Sequence, residues 1–170
     1  FLFDLIWNNT SDIQPDILST DTEGTNQLNF LLLYIIEKIF APRYRSFGNK
    51  TESIISFSDP KQFNDFLIKP NRQLNYSLLK KEEDNIKHII ASLLMGETSQ
   101  NNIIGRLSSK NFTNTTKRAL WEMNAVIMSD YLLDFASDVV LRQCVQGALN
   151  RGEAYHQLRR YISMINGKNF

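Results

Sequence analysis

The sequence predicts a mainly α-helical protein with a small β part. Apolar residues recur at helical spacing through most of the region after Pro60, and this periodicity predicts helices. Two earlier stretches, after Pro15 and around Pro42, are short, apolar and bounded by turn residues, as is typical of brief strands. The chain has 170 residues, of which 42% are hydrophobic and 22% are charged. These values are typical of one globular domain that buries a core.

The first third of the chain predicts an alternation of helix and strand. The opening residues, "LFDLIWNN", are typical of the end of a helix, and "PDILSTD" predicts a strand that stops near Asp21. Gly24 and Thr25 then open a strongly apolar helix, "NQLNFLLLYIIEKI", which we expect to be buried on nearly every side. The next stretch, "FAPRYRSFG", predicts a brief edge strand or an extended loop, because Pro42 interrupts it and Gly48 closes it.

The remainder of the chain predicts helices. Ser58, Asp59 and Pro60 form a cap that predicts a helix over "KQFNDFLI". Helical spacing then predicts one helix over "LLKKEEDNIKHIIASLLM", a shorter one over "SQNNIIGRLSS" and a long one over "NTTKRALWEMNAVIMSDYLLDF". A cap at Ser137 predicts a helix over "SDVVLRQCVQGALN". A last helix, "GEAYHQLRRYISMI", follows Gly152.

Composition excludes some classes of protein and leaves others open. The longest apolar run, "FLLLYII", is too short to span a bilayer, so we expect no membrane partner. The single cysteine, Cys144, cannot form an internal disulfide, which fits a reducing compartment, and its apolar neighbours predict a core position. The net charge of +1 neither indicates nor excludes nucleic-acid binding. The apolar start without Met predicts a fragment of something longer.

Asp21 is the first candidate for chemistry. A carboxylate at the end of a buried strand is held rigidly and opens into the crevice where open α/β folds place ligands. The alternative is that Asp21 caps the next helix or turn, which Asp often does. The residue alone does not decide between these interpretations.

Glu153 is the second candidate. At helical spacing it shares a face with His156 and Arg160, and Arg151 and Arg159 flank it. The alternative is an ordinary solvated helix face with pairing between neighbouring turns. This residue alone also leaves both interpretations open.

Basic and aromatic residues are the third candidate feature, because they hold phosphates and stack on bases. Arg43, Tyr44 and Arg45 form one such group, although scattered cations occur on any surface. His88 and His156 are too far apart in the sequence to indicate a zinc site. The sequence has no Gly-rich phosphate loop.

Several stretches together resemble one family. They run in order from about Leu18 to Ile165 and include "STDTEG", "FAPRYR", "LIKPNRQLN", "EEDNIKHIIASL", "RALWEMN" and "LRQCVQGALNRGEAYHQLRRYIS". They closely resemble the C-terminal catalytic region of the large replicative transposases of the Tn-three family. The pair "TDT" and "LNRGE", with "FAPR" between them, is the most specific part of the resemblance.

The resemblance implies a fold: a partial RNase H-like α/β catalytic core that carries a large helical insertion. It implies an Asp-Asp-Glu triad that holds divalent metal, with Asp21 matching the second Asp and Glu153 the Glu. On this basis residues 1–48 belong to the core, 49–136 form the insertion, and 137–170 form the core region with Glu153. The first Asp is expected on a strand upstream of Phe1, so the chain alone is expected to be inactive. Glu23 departs from the family pattern.

The resemblance also implies a chemistry and partners. Mg²⁺, which Mn²⁺ can replace, would support 3′-end cleavage and strand transfer in replicative transposition. Partners would be transposon-end DNA and target DNA, in the cytoplasm of a bacterium at the nucleoid. Self-association is expected for a different reason: without upstream strands, sheet edges and apolar surface would be exposed. The expected contacts to DNA backbone come from five arginines and one histidine: Arg43, Arg45, Arg151, His156, Arg159 and Arg160.

Two other classes of function remain as alternatives. The stretch "SQNNIIGRLSSKNFTNTTKRALWEM" can be interpreted as a helix-turn-helix module that binds DNA without catalysis. A helical interaction or regulatory domain with no nucleic-acid role is the other alternative.

Overall fold

The computed structural model describes residues 1–21, 28–108 and 115–165, and within these ranges the chain is mainly helical with few short strands. The predicted class, mainly α with a small β part, is therefore confirmed. The helices are α1 (Leu2–Trp7), α2 (Asn29–Ile35), α3 (Phe47–Thr51), α4 (Tyr76–Lys81), α5 (Glu83–Leu94), α6 (Gln100–Ser108), α7 (Thr115–Ser137) and α8 (Val139–Ile165). The strands are β1 (Ile17–Leu18), β2 (Ile39–Phe40), β3 (Ile55–Ser56) and β4 (Arg72–Gln73).

The strands form two parallel pairs. In the first pair Leu18 of β1 lies opposite Phe40 of β2, and both are buried. Backbone hydrogen bonds of 2.8 Å from Ala41 to Leu18 and from Arg43 to Thr20 extend this pairing beyond the strands. The extended segment therefore reaches the residue before Asp21, which confirms the predicted strand. The second pair, β3 with β4, was not predicted, because two-residue strands show no alternation of apolar and polar side chains.

Helix α7 is the centre of the packing. Its Leu120 and Leu132 are almost fully buried, in two clusters that also contain residues of α2. The hydroxyl of Tyr131 donates a 2.6 Å hydrogen bond to the carbonyl of Pro42, and the hydroxyl of Ser129 accepts one of 3.0 Å from the backbone of Ile55. Both bonds satisfy buried backbone groups, so α7 fixes the loop after β2 and the first residue of β3.

A buried amide ties the N-terminal helices together. Gln100 is fully buried; its side-chain oxygen accepts a 2.8 Å hydrogen bond from the backbone of Phe3, and its nitrogen donates one of 2.8 Å to Asn29. The carboxylate of Asp4 accepts hydrogen bonds from the backbone nitrogens of Gln100 and Asn101 at the start of α6. This network joins α1, α2 and α6 and confirms that the opening residues are helical.

Helix α2 is shorter than predicted. It ends at Ile35 because Glu37 adopts a positive φ of 58° and the backbone nitrogen of Lys38 bonds back to the carbonyl of Leu33 at 2.9 Å. This left-handed closure stops the helix although the apolar run continues. The predicted helix opening at Gly24 and Thr25 lies outside the described residues.

The helix predicted over residues 78–95 is divided in two. Helix α4 ends at Lys81 and α5 begins at Glu83. Between them the buried carboxylate of Glu82 accepts hydrogen bonds of 2.7 Å from the hydroxyls of Thr115 and Thr116. Hydrogen bonds from Thr115, Asn85 and Thr116 lower the pKa of Glu82 to about 2. The break therefore places a carboxylate at the start of α7, where the helix dipole also favours it.

The two helices predicted after α7 are one helix, α8, which runs through Gly152. Its cap is Asp138 and not Ser137: the Asp138 carboxylate accepts hydrogen bonds from the backbone nitrogens of Val140 and Leu141 at 2.7 and 3.0 Å. The Ser137 hydroxyl bonds back to Leu133 in α7. A single glycine costs a helix only about 1 kcal/mol relative to alanine, which is too little to end it here.

Two further expectations concern short segments. The Asp59 cap is confirmed by a 3.0 Å hydrogen bond from the backbone of Lys61, but it starts only a 3₁₀ turn over Pro60–Phe63. Cys144 is exposed, so the predicted core position was wrong. None of the helices within the described ranges is long and apolar enough to cross a membrane.

Candidate active site at the end of the first strand

Asp21 follows the last residue of the β1–β2 pairing and is exposed. It lies at the wall of a cavity of about 360 Å³. The other residues that line this cavity come from the loop after β2 and from α3: Arg43, Tyr44, Arg45, Ser46, Asn49 and Lys50. The parallel register explains this grouping, because it brings the residues after β1 beside those after β2.

Arg43 connects this cavity to α8. Its backbone nitrogen donates to Thr20, which fixes the residue beside Asp21. Its guanidinium donates a 3.1 Å hydrogen bond to the side-chain oxygen of Gln146 on α8. The nitrogen of Gln146 in turn donates to the side chain of Asn150, one turn along the helix, at 2.7 Å.

Tyr44 forms a buried floor to the cavity. It is 7% exposed, and burial raises the pKa of its hydroxyl above the ordinary value, so the ring is neutral. The ammonium of Lys50 lies 5.4 Å from the centroid of this ring, within the range of a cation–π contact. Arg45 is exposed at the same cavity. The cavity wall therefore presents three cations and one carboxylate.

Glu153 lies further along α8 and does not line this cavity. It comes seven residues after Gln146, which is two helical turns, so it lies on the same face of α8 and roughly 10 Å further along the axis. Glu153 is exposed. Asp21, Arg43 and Arg45 are thus brought together, and Glu153 lies on the helix face that Arg43 contacts.

The other predicted DNA-contacting residues occupy different faces of α8. By helical spacing His156 and Arg160 share the face of Glu153, whereas Arg151 and Arg159 point to other sides. All of them are exposed. One helix thus carries a polar face with Glu153 and cations on both sides of it.

The second half of α8 also carries an apolar stripe that the sequence reasoning missed. Tyr155, Leu158, Ile162 and Ile165 recur at alternating spacings of three and four residues, and each is between 50% and 83% exposed. The spacing alone is a readable signal for a face that packs on a partner. The stripe lies away from the face of Glu153, so the two faces can act separately.

The donor chemistry of the two carboxylates suits Mg²⁺, which prefers carboxylate and water oxygens. Within the described ranges, however, no group of three or more His, Cys, Asp or Glu side chains could hold a metal ion. Asp21 and Glu153 are thus of the donor type that Mg²⁺ takes, but neither belongs to such a group within the described ranges. Glu23, which departs from the family pattern, lies outside the described residues.

A helical domain that gathers a carboxylate and three cations where a strand ends has the features of a site for phosphate chemistry. The family model described as "Tn3 transposase DDE domain" matches residues 1–170, and the chain belongs to that family. This result confirms the family resemblance carried by the "STDT", "FAPR" and "NRGE" motifs.

Curated relatives agree with the family assignment. The transposase of transposon Tn1546 from Enterococcus faecium is 28% identical over 162 residues, which cover 95% of this chain and 16% of that protein. The transposases of transposons Tn2501 and Tn21 from Escherichia coli are each 29% identical over 91% and 95% of this chain. The chain thus spans about one sixth of the length of these relatives. No solved structure gives a significant match.

Sequence reasoning missed Gln146 and three residues that line the cavity: Ser46, Asn49 and Lys50. Gln146 follows Asp21 by more than a hundred positions, and its contact with Arg43 depends on tertiary packing. Lys50 stands in a stretch, "SFGNKT", whose composition resembles any polar turn. In the sequence, the seven-residue spacing between Gln146 and Glu153 is the one indication that both lie on the same helix face. The role of Gln146 follows only from its contact with Arg43.

Proposed function

We propose that this chain is the part of a DNA transposase that supplies Asp21 and Glu153, two of the three acidic residues of an Asp-Asp-Glu site. The reaction is metal-dependent phosphoryl transfer: cleavage at the 3′ end of the transposon, followed by strand transfer into target DNA. The observation that carries the proposal is the hydrogen bond from Arg43 to Gln146, which holds the end of the β1–β2 pairing against the helix of Glu153.

The two carboxylates would hold Mg²⁺, or Mn²⁺ in its place. When bound, the metal supplies charge that activates the attacking oxygen and stabilises the leaving one. The chain's own contribution is to fix the distance between the carboxylates, through the Arg43–Gln146 bond and the unbroken helix α8. A third carboxylate is needed from elsewhere in the protein, so we expect the 170-residue chain alone to be inactive.

DNA binding in this proposal uses the cations around the two carboxylates. Guanidinium groups donate two parallel hydrogen bonds to a phosphate, which suits Arg43 and Arg45 at the cavity. The corresponding groups on α8 are Arg151, His156, Arg159 and Arg160. The bound molecules are transposon-end DNA and target DNA, in the cytoplasm of a bacterium at its nucleoid.

The proposed fold context is an RNase H-like core, with residues 1–48 and 137–170 in the core and 49–136 as a helical insertion. Two surfaces support the presence of further elements. Ile17 and Ile39 lie side by side in register, and each is more than half exposed. The apolar stripe of α8 is exposed as well. Further strands of such a core would cover both surfaces. Without those strands, the chain would self-associate through the two exposed surfaces.

The proposed insertion is not packed as a separate body. Leu18 and Phe40 of the proposed core share one hydrophobic cluster with Tyr131 and Leu132 of α7. Val145 of α8 belongs to the same cluster. The insertion therefore positions both halves of the site.

The test of the function uses the full-length protein, transposon-end DNA, a target duplex and Mg²⁺. Asp21→Asn and Glu153→Gln should each abolish end cleavage and strand joining while DNA binding persists, because each removes a metal ligand and keeps the shape of the side chain. Asp65→Asn, at an exposed position away from the cavity, is the matched control. Normal joining by either site variant would refute the proposal. A metal-dependent nick by the 170-residue chain, abolished by Asp21→Ala, would contradict its expected inactivity.

The helix-turn-helix alternative has less support. Its turn, residues 109–114, lies outside the described ranges. The hydroxyls of Thr115 and Thr116, which would begin the recognition helix, donate to the buried Glu82, and Lys117 lies 4.4 Å from the ring centroid of Trp121. Salt-dependent DNA binding without joining activity in the full-length protein would favour this alternative.

A further inference from the structure

The proposed function assigns no specific contact to three polar side chains at the cavity beside Asp21: Ser46, Asn49 and Lys50. Within the part of the chain that the structure describes, none of these three side chains makes a hydrogen bond or ion pair, and the ammonium of Lys50 lies over the Tyr44 ring. Together they offer a hydroxyl, an amide and an ammonium as donors at one wall.

The charge at this cavity favours an anion. Arg43, Arg45 and Lys50 carry three positive charges against the one negative charge of Asp21. Arg43 is held in place by Gln146, and Lys50 by the face of Tyr44. Preorganised cations lose less conformational entropy on binding than mobile ones, which raises affinity.

The size of this cavity and its exposure to solvent suit one segment of a polymer rather than a whole small-molecule ligand. The cavity of about 360 Å³ is at the small end of the range for ligand sites, and it is bordered by exposed residues such as Arg45. A single phosphate group with its two ester oxygens would satisfy the donors and leave the bases outside.

We propose that Lys50, with Ser46 and Asn49, binds one phosphodiester group of a nucleic-acid strand beside Asp21. This inference rests on the proposed function only for the choice of DNA as the strand. Lys50 acts as a positioning residue: it fixes a phosphate near the carboxylate and has no part in bond breaking. Free inorganic phosphate shares the same chemistry, so the experiment compares both sources.

The experiment measures the affinity of the protein for a labelled single-stranded oligonucleotide by fluorescence anisotropy, over a series of salt concentrations. Lys50→Gln should weaken binding roughly five-fold or more and reduce the slope of log K against log salt by about 0.7, the value for one phosphate contact on a single strand. Lys50→Arg, which keeps the charge, should retain most of the affinity.

Lys69→Gln is the matched control, since it removes the same charge at an exposed position outside the cavity. It should leave affinity and slope unchanged, and thermal melts should show that all three variants fold. Inorganic phosphate should compete with the oligonucleotide only at far higher concentrations. Unchanged binding by Lys50→Gln, equal losses in Lys50→Gln and Lys69→Gln, or equally effective competition by inorganic phosphate would each overturn the proposal.

The outcome is separable from that of the proposed function. Joining activity that depends on Asp21 and Glu153 but not on Lys50 would keep the transposase proposal and refute this one. Oligonucleotide binding that depends on Lys50, in a full-length protein without joining activity, would support this proposal and refute the transposase proposal.

Discussion

The guanidinium of Arg43 and the side-chain amide of Gln146 are 3.1 Å apart and join two parts of the chain that are 103 residues apart in sequence. One partner lies beside Asp21, and the other lies two helical turns before Glu153 on the same face. A single hydrogen bond therefore connects the segment beside Asp21 to the helix that carries Glu153.

Removing this bond should cost little stability but should show measurable coupling. The pair is exposed, so Gln146→Ala should lower the free energy of unfolding by no more than about 1 kcal/mol. In a double-mutant cycle with Arg43→Ala, measured by urea denaturation, the coupling energy should be about 0.5 kcal/mol or more. Gln157→Ala, on the exposed half of α8, is the control and should show no coupling to Arg43. Additive effects at Arg43 and Gln146 would contradict the contact.

Tyr131→Phe should destabilise the protein by about 1–3 kcal/mol, because it leaves the buried carbonyl of Pro42 without its 2.6 Å donor. Urea denaturation measures the change. Tyr76→Phe, at a residue that is 71% exposed, should change the free energy of unfolding by less than about 0.5 kcal/mol. Equal effects of the two substitutions would show that the hydroxyl of Tyr131 is not needed at the loop after β2.

Glu82 should make stability depend on pH in the acid range. Hydrogen bonds from Thr115, Asn85 and Thr116 lower its pKa from the ordinary value of 4.5 to about 2. A lowered pKa in the folded state means that the stabilisation is fully present above pH 4.5 and is lost as the pH falls towards 2. Glu82→Gln should therefore be less stable than wild type at neutral pH, and the difference should shrink as the pH falls through this window.

Glu83→Gln is the neighbouring control for that experiment. Glu83 forms an exposed pair with Lys87 one turn along α5, and such pairs contribute little. Chemical denaturation at a series of pH values compares the two variants. A pH-independent difference between Glu82→Gln and wild type would contradict the role given to this carboxylate.

Leu132→Ala should lower the free energy of unfolding by about 2–5 kcal/mol, because Leu132 is fully buried where α7 meets the residues of β1 and β2. Leu67→Ala removes the same atoms from a side chain that is 99% exposed and should cost less than about 0.5 kcal/mol. Denaturant melts of both variants test the prediction, and similar midpoints would argue against α7 as the centre of the core.

The sequence made the local features of this fold predictable. The strand that leads to Asp21 is predictable from an apolar run that ends in turn residues. The Asp59 cap is predictable from its residue type and from the proline that follows it. The break at Glu82 was not predictable, because its hydrogen-bond partners Thr115 and Thr116 are more than thirty residues away. The sequence predicts a break at Gly152, but one glycine costs a helix too little to end α8 there.

The candidate site was predictable in the same unequal way. Motif resemblance singled out Asp21 and Glu153 as candidates, and both residues are exposed. Gln146, which bonds to Arg43, and Lys50, which lines the Asp21 cavity, are ordinary polar residues in the sequence. Their roles depend on the parallel register of β1 with β2 and on the packing of α8 against α7.

The continuous α8 has a mechanical consequence. The first half of α8 is held where it meets α7, because the guanidinium of Arg142 donates to the carbonyls of Phe135 and Ala136. The second half of α8 is exposed to solvent. Glu153 lies roughly 21 Å from the pivot near Val139, so a tilt of only about 5° would displace its carboxylate by about 2 Å, close to the length of a magnesium–oxygen bond. The placement of Glu153 therefore depends on how firmly the base of α8 is held against α7.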